Sequence, residues 1–531
     1  MMQNRGFPES FPALPTGKIR GRKRHMTGPG DIPIRTGYLL RYLGAALFSC
    51  LIGCAPTARL RIFTQMPASQ VGLFRSGVIE PFEKKHHVRV SLENFADGES
   101  LISSLRQAPD SLQPDILEAP YEMTLYLAKS GLLRDMESRV DPSALQRLRR
   151  DLFFSDLGSI EGKSWFLPHH VETSLWVYLK SRTAQASRFW DLRKEEIVRA
   201  MPESKNLRLP PDYVLENDPG KWDQLDLFVA GLFWKQQEAK GRRQARISMG
   251  LGSGYEAGLA LMDAALIAGA RPGELLRMDD PELWSALKLQ GQICGERILR
   301  NGSFRGETFE DLGPAFKSGE IYAAQLTPRQ AFMTHGNGTP QLPGYLRDPD
   351  DMGVTLWPQS LPTGKGAAKP FGEGNRRMAT RIWFWGLGRG QGDAGLTGEL
   401  LDHLSSTSSL VFEASNFGVI PARRDVLTEL PLIFGGGWAG EVYQAAARQL
   451  IENGLGFLPR TEAFPEVAKV WSDAARMVCP DPRTPIARGG VEWDQTVKTL
   501  SERLSPKLRE SLLADYPDPT LSASELEILR P

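Results

Sequence analysis

The chain has 531 residues, and at a typical ~150 residues per domain this makes room for about two to four domains. Its 41% hydrophobic and 24% charged residues, with 12 Trp, exclude a disordered tail, a collagen and a coiled coil. The net charge of +1 leaves no electrostatic footprint for nucleic acid, and 4 Cys exclude a disulfide-rich scaffold.

Residues 1–41 carry scattered basic residues, including Arg20, Arg22, Lys23 and Arg24, and few acids. An apolar stretch from Tyr42 to Ile52 follows. It suits the apolar core of a secretory signal and is too short to span a bilayer. It ends in Leu51-Ile52-Gly53-Cys54, which resembles the bacterial lipobox, where the Cys thiol takes a diacylglycerol before cleavage. Lipidation is therefore expected at Cys54. Removing residues 1–53 leaves 478 residues with 56 basic and 61 acidic side chains, a net charge near −5. Met26 is an alternative start, which makes residues 1–25 an extension. Two further cysteines remain, Cys294 and Cys479. In an oxidising compartment they either pair or stand as two separate buried thiols.

Leu60, Ile62 and Thr64 begin a short strand. Val71, Phe74, Val78, Ile79 and Phe82 recur at helical spacing. A period-2 strand follows at Val88, Val90 and Leu92, then a helix around Leu101 and Leu105. Pro114-Asp115-Ile116-Leu117 leads into a strand, and a helix from Met123 to Lys129 stops at Gly131. This alternation predicts an α/β sheet with largely parallel strands, whose ligands gather at the carboxyl ends. Ser181 to Lys221 reads as less regular, with turn signals at Pro210-Pro211 and Asn217-Asp218-Pro219-Gly220. Helical patterns resume over Trp222–Lys240 and Glu256–Ala270. Residues 336–377 are rich in Gly and Pro and read as loops with one strand at Val354-Thr355-Leu356. Residues 395–531 return to helices. There is no internal repeat.

Several short motifs occur in a telling order. Val78-Ile79-Glu80-Pro81-Phe82-Glu83-Lys84-Lys85 precedes Val88-Arg89-Val90. Pro114-Asp115-Ile116-Leu117-Glu118-Ala119 precedes Ser130-Gly131-Leu132-Leu133. Gly162-Lys163-Ser164-Trp165-Phe166-Leu167-Pro168 precedes Val171-Glu172-Thr173-Ser174-Leu175-Trp176-Val177-Tyr178. Later come Phe316-Lys317-Ser318-Gly319-Glu320, Val354-Thr355-Leu356-Trp357-Pro358, Phe371-Gly372-Glu373-Gly374-Asn375 and Asn416-Phe417-Gly418-Val419-Ile420-Pro421-Ala422. Over roughly residues 60–500 this order resembles the extracellular solute-binding proteins of ATP-driven importers, family 1, which includes maltose-binding and other sugar-binding proteins. The resemblance implies a periplasmic-binding-protein type II fold, with two α/β lobes around a hinged cleft. It divides the chain into a signal (1–53), a first part of lobe 1 (54–170), a first part of lobe 2 (171–315), a return segment to lobe 1 (316–375), and a second part of lobe 2 with C-terminal helices (376–531).

What it implies for function is capture of a carbohydrate-type solute by lobe closure and delivery to the permease subunits. The protein would face the periplasm or the extracellular space on a lipid anchor. It would have no cofactor and no catalytic residue, and the sequence holds no G-x-S-x-G, H-E-x-x-H or P-loop. The resemblance places ligand contacts at Tyr121 and Glu122 after the third strand, and at Glu172 in the crossover segment. Further contacts fall at Glu373 and Asn375 in the glycine-rich element and at Arg460, with Glu462, in a late loop. Ser69 and Gln70, after the first strand, are weaker candidates. Trp383 and Trp385 alternate onto one face, and one of them is expected to face the ligand. Arg329 stands where sugar binders often stack a Trp, which keeps an anionic or heavily hydroxylated ligand open. The alternatives are a polyamine, a sugar phosphate or another polar solute on the same fold. Others are an envelope enzyme using Glu122 and Glu172 as paired carboxylates, or a sensor subunit. His86-His87 and His169-His170-x-Glu172 are the only metal candidates. Adjacent His residues point apart in a regular strand, and two His with one Glu are a thin ligand set, so no metal is expected.

Overall fold

The computed structural model describes residues 59–200, 209, 212–239, 246–249, 255–276, 281–296, 298–300, 309–336, 342–360, 376–452, 455–480, 495, 497–499 and 501–502. Cys54, Glu373 and Asn375 lie outside them.

The N-terminal alternation folds as its periodicity dictates. Strands β1 (Arg59–Thr64), β2 (Arg89–Asn94) and β3 (Ile116–Pro120) are parallel, with β1 in the middle of the three. The first helical run carries a π-helical turn over Arg75–Ile79 between Ala68–Phe74 and Glu80–His86. Two-residue β4 (Leu133–Arg134) and the small hairpin of β5 (Ser159–Ile160) and β6 (Lys163–Ser164) follow. Next come β7 (Phe166–Glu172) and β8 (Leu175–Leu179). After β9 (Arg246–Ser248) lie β10 (Ile321–Leu326), β11 (Met352–Thr355), β12 (Arg381–Gly388) and β13 (Ile420–Pro421).

The strands make two principal sheets. The large one runs β13-β7-β12-β3-β1-β2, with β4 also on β12, and the small one runs β11-β8-β10-β9. Both are mixed rather than largely parallel. β12 is antiparallel to β3 and β7, and β8 is antiparallel to β10 and β11. The expectation failed because β-α-β alternation reports only the first three strands. The later strands come from distant segments, whose direction no local pattern records.

The pairing also differs from the expected lobe boundaries. Within 316–375, β10 and β11 join the small sheet with β8. The chain returns to the large sheet later, at β12, within the segment assigned to the second lobe. Helices Ala394–Leu404 and Thr407–Phe417 pack their buried faces in the large sheet's layer. The stretch read as irregular from Ser181 holds two helices, Lys180–Arg188 and Trp190–Ala200. The charge-rich run Asp191–Arg199 reads in the sequence as a solvated helix face and lies in the second, while the first has too little apolar content for periodicity to reveal it.

Among the described residues, two stretches lie where the chain passes between the sheets. Thr173 and Ser174 carry β7 into β8, and residues 376–380 lead into β12. Gln325 donates to Ser174 Oγ (3.1 Å) and to Asp263 Oδ2 (3.3 Å), while Asp263 Oδ1 accepts from the Ala379 backbone N–H (2.8 Å). The two stretches are thus held side by side. Most aromatic mass is core: Trp176 packs on Trp357 at 5.3 Å and on Trp222 at 6.4 Å, all fully buried.

Helix Phe464–Val478 locks the C-terminal part in place. A Cβ on Gly258 would lie 2.8 Å from the Ala468 carbonyl oxygen and from the Ser472 nitrogen, so helix Tyr255–Ile267 approaches it closely. The Trp471 indole donates to the Leu275 carbonyl (2.9 Å). Cys294 and Cys479, whose state the sequence left open, form a disulfide across a separation of 185 residues. A non-reducing peptide map should recover the Cys294 and Cys479 peptides joined. Replacing both by Ser should cost about 2–5 kcal/mol of stability in urea unfolding. Separate peptides, or an unchanged transition, would contradict the linkage.

Candidate functional site

The large sheet gathers its polar side chains at one edge. β3 and β7 are both antiparallel to β12, so they run the same way and end together at Pro120 and Glu172. β12 starts beside them, with Arg381 opposite Glu172 and Trp383 opposite Pro120. β10 ends beside the start of β8, Leu326 opposite Leu175, which brings Thr327-Pro328-Arg329 next to Glu172. Thr327 caps helix Pro328–His335 through a capping box and fixes Arg329 in its first turn.

Glu172 is buried and fully engaged. Its Oε2 accepts the Trp383 indole N–H (3.0 Å), and its Oε1 faces Arg329 Nε at 3.5 Å and His170 Nε2 at 3.7 Å. Burial alone would raise its pKa. The Arg329 guanidinium, then His170 and Trp383, outweigh burial and hold it down at about 2.

Behind Glu172 lies a fully buried set of acids and imidazoles. The register slips between Trp383 and Phe384, which face His170 and Pro168, so His169 is the extra residue of a β-bulge. The bulge turns both imidazoles to one side, with ring centroids 4.5 Å apart. His169 Nδ1 meets Glu118 Oε1 at 2.9 Å, and His169 Nε2 meets the Glu413 carboxylate at 3.1 Å. Burial opposes its protonation, but Glu413 and Glu118 overcome burial and raise the His169 pKa to about 9. His170 is driven down to about 4 by burial, then by Arg329 and His169. The expectation that these neighbours point apart is therefore corrected. It assumed a regular strand, and the bulge breaks the alternation. The other pair does diverge: His86 Nδ1 pairs with Glu399 (2.9 Å), while exposed His87 caps its helix in the left-handed region (φ 54°).

A second polar group lies at the same edge. Tyr121 and Glu122 open helix Tyr121–Lys129 directly after β3. Arg460 stacks over the Tyr121 ring, 5.1 Å from its centroid. Arg381 pairs with Glu256 (3.5 Å), and its charge also reaches Glu122 and Asp263. Several buried polar atoms here have no hydrogen-bond partner among the described residues: both amide atoms of Gln70, Glu122 Oε1, Nε and Nη2 of Arg329, and Nε and Nη2 of Arg460.

The structure thus brings Tyr121, Glu122, Glu172, Arg329, Trp383 and Arg460 to one region. Trp385 lies deeper, fully buried with its ring 4.5 Å from His169. Ser69 and Glu462 are exposed. Sequence reasoning did not single out Glu118, Glu413, Arg381 or Asp263. Glu118 did carry a signal: a lone acid inside the apolar run Ile116–Ala119.

No family model and no curated protein matches the chain. Solved structures do. An ABC transporter solute-binding protein from Thermotoga lettingae TMO, bound with alpha-D-tagatose, matches with a TM-score of 0.61 at 14% identity, over 85% of this chain and 100% of that one. The GacH receptor of Streptomyces glaucescens GLA.O, solved unliganded and with acarbose, matches with a TM-score of 0.61 at 14% identity, over 86% and 100%. Maltose-bound MalE3 of T. maritima gives 0.55 at 14% identity, over 86% and 100%. These likenesses establish the periplasmic-binding-protein type II fold. The neighbours are binding proteins rather than enzymes. No helix among the described residues is long and apolar enough to cross a membrane.

Burial pushes the Glu122 carboxyl up to about 7, against the pull of Arg381. Its ordinary value is 4.5, so the folded protein keeps a proton that the unfolded chain releases. The stability this group contributes is full below about pH 4.5 and is lost as pH rises through 7. Glu122→Gln should remove that loss, worth roughly 3 kcal/mol. Urea unfolding at pH 4.5 and pH 8 measures it, and equal pH dependence in variant and parent would contradict a buried, proton-holding Glu122.

Proposed function

We propose that this chain is the solute-capturing component of an ATP-driven importer and binds a carbohydrate-type ligand between the two sheets. The observation that carries this reading is the set of buried polar atoms on Gln70, Glu122, Arg329 and Arg460 that lack a hydrogen-bond partner, Arg329 having only its ion pair with Glu172. Groups of this kind are costly inside a protein unless something hydrogen-bonds them. They lie with the Tyr121 and Trp383 rings at the carboxyl ends of strands, where an α/β fold takes its ligands. Aromatic faces beside amides, carboxylates and guanidinium groups suit a pyranose ring, which has apolar faces and a rim of hydroxyls.

Arg329 left an anionic ligand open. Its pairing with Glu172 supplies the counter-charge from within the protein, which favours a neutral, hydroxylated solute. The three structural neighbours are named for tagatose, acarbose and maltose complexes, and the same ligand class is carried over here as part of the proposal. Lipid attachment at Cys54, exposure to the periplasm or the extracellular space, and delivery to permease subunits complete the reading. The disulfide supports a compartment outside the cytosol. The absence of catalysis is likewise proposed. One observation favours a second reading, glycoside hydrolysis: Glu122 and Glu172 are held at about 7 and about 2, as an acid and its ionised partner would be.

A thermal-shift screen against mono- and oligosaccharides tests both readings. A ligand at 100 times its dissociation constant should stabilise the chain by about 2.7 kcal/mol, a shift of a few degrees. Arg460→Ala should weaken the same ligand by ~1.5–3 kcal/mol while leaving the unliganded melting curve unchanged. Stabilisation without release of reducing ends supports a receptor, and turnover moves the assignment to the enzyme. No response to any carbohydrate contradicts the proposed ligand class.

A further inference from the structure

The set of Glu118, His169 and His170 has a use that carbohydrate binding does not require. Glu118, His169 and His170 each offer one ligating atom, all within 4.8 Å of one another, and Glu118 Oε1 and the two Nδ1 atoms form the tightest such set. They are separated by 2.9 Å, 3.0 Å and 3.7 Å. For a divalent ion with bonds of ~2.0–2.1 Å, tetrahedral ligand atoms lie about 3.3 Å apart. The circle through the three atoms has a radius of about 1.9 Å, so a point about 2.05 Å from each lies roughly 0.8 Å out of their plane. An ideal tetrahedral centre sits about 0.7 Å out of the plane of three of its ligands.

The surroundings suit a metal as well. A metal on Nδ1 leaves Nε2–H of each imidazole as a donor. That of His169 meets the Glu413 carboxylate at 3.1 Å, while that of His170 lies 3.7 Å from Glu172 Oε1, a charge neighbour beyond hydrogen-bond distance. A carboxylate behind a ligating imidazole is the usual arrangement that fixes ring orientation. The Gln65 backbone N–H donates to Glu118 Oε2 (3.1 Å) and leaves Oε1 facing the rings. Charge points the same way. Ionised Glu118, Glu172 and Glu413 with Arg329 and two neutral imidazoles carry a formal charge of −2, which one divalent ion cancels. A single proton on His169 leaves one negative charge buried, which is costly.

We propose that Glu118, His169 and His170 bind one divalent transition-metal ion of the zinc class, which fastens β3 to β7 behind the cleft. Imidazole with carboxylate is a borderline donor set that suits zinc over calcium or magnesium. All three side chains are fully buried, so the ion enters as the chain folds.

The test uses the purified chain with its disulfide intact, unfolded in chelator and refolded with or without Zn²⁺. After dialysis against metal-free buffer, elemental analysis should find about one zinc per chain, and the zinc-refolded form should melt several degrees higher. His170→Gln should fold, as judged by circular dichroism and cooperative melting, yet retain under ~0.1 equivalent and lose the zinc-dependent shift. X-ray absorption on the zinc-loaded parent gives an answer even if that variant fails to fold. A nitrogen and oxygen shell with two imidazoles is expected. No retained zinc, retention unchanged in His170→Gln, or a shell lacking imidazole would each overturn the proposal.

Discussion

Charge buried at the carboxyl edge of a sheet needs opposite charge close by, and this constraint organises the structure. Glu118 on β3, His169 and Glu172 on β7, Glu413 on helix Thr407–Phe417 and Arg329 on helix Pro328–His335 come from four distant stretches of chain. Each is fully or almost fully buried. Removing one partner from such a set leaves another charge uncompensated and costs several kcal/mol, on the order of 3–5. The set therefore dictates how the strands and two helices meet. It also demands the bulge at His169, because a regular β7 would send one imidazole to the opposite face.

The same constraint separates framework from contact surface. Glu172 was the strongest sequence candidate for touching ligand. Its oxygens face Trp383, Arg329 and His170, so its first task is to hold Arg329 and the Trp383 ring in place. Glu122, Arg329 and Arg460, at the same edge, keep buried polar atoms without a hydrogen-bond partner. The framework extends to the links between the sheets. Asp263 and Gln325 tie residues 376–380 to Ser174, so a change in the angle between sheets would turn about two adjacent stretches.

Much of this was legible in the sequence, and the missing parts share a cause. Periodicity located β1, β2 and β3 and the helices between them, because their apolar spacing is a local property. Short motifs in order gave the fold class and brought Tyr121, Glu122, Glu172, Arg329, Trp383 and Arg460 into view. Partner choice was not legible. β10 and β11 look like any apolar strands, and only pairing with β8 assigns them to the small sheet. The side on which the two imidazoles lie is not legible either, because strand alternation separates neighbours and one inserted residue defeats it. Glu413 and Arg381 carry no local mark at all, since each gains its role from side chains more than a hundred residues away.

On the proposed function, solute binds where the two sheets meet, over the paired charges at the ends of β3 and β7. Hydrogen–deuterium exchange with and without a saturating oligosaccharide tests it most directly. The account predicts slowed exchange in residues 65–70, 120–124, 172–175, 327–330 and 379–383 and little change on the far faces of either sheet. Protection confined to other surfaces, or none under saturating ligand, would contradict it.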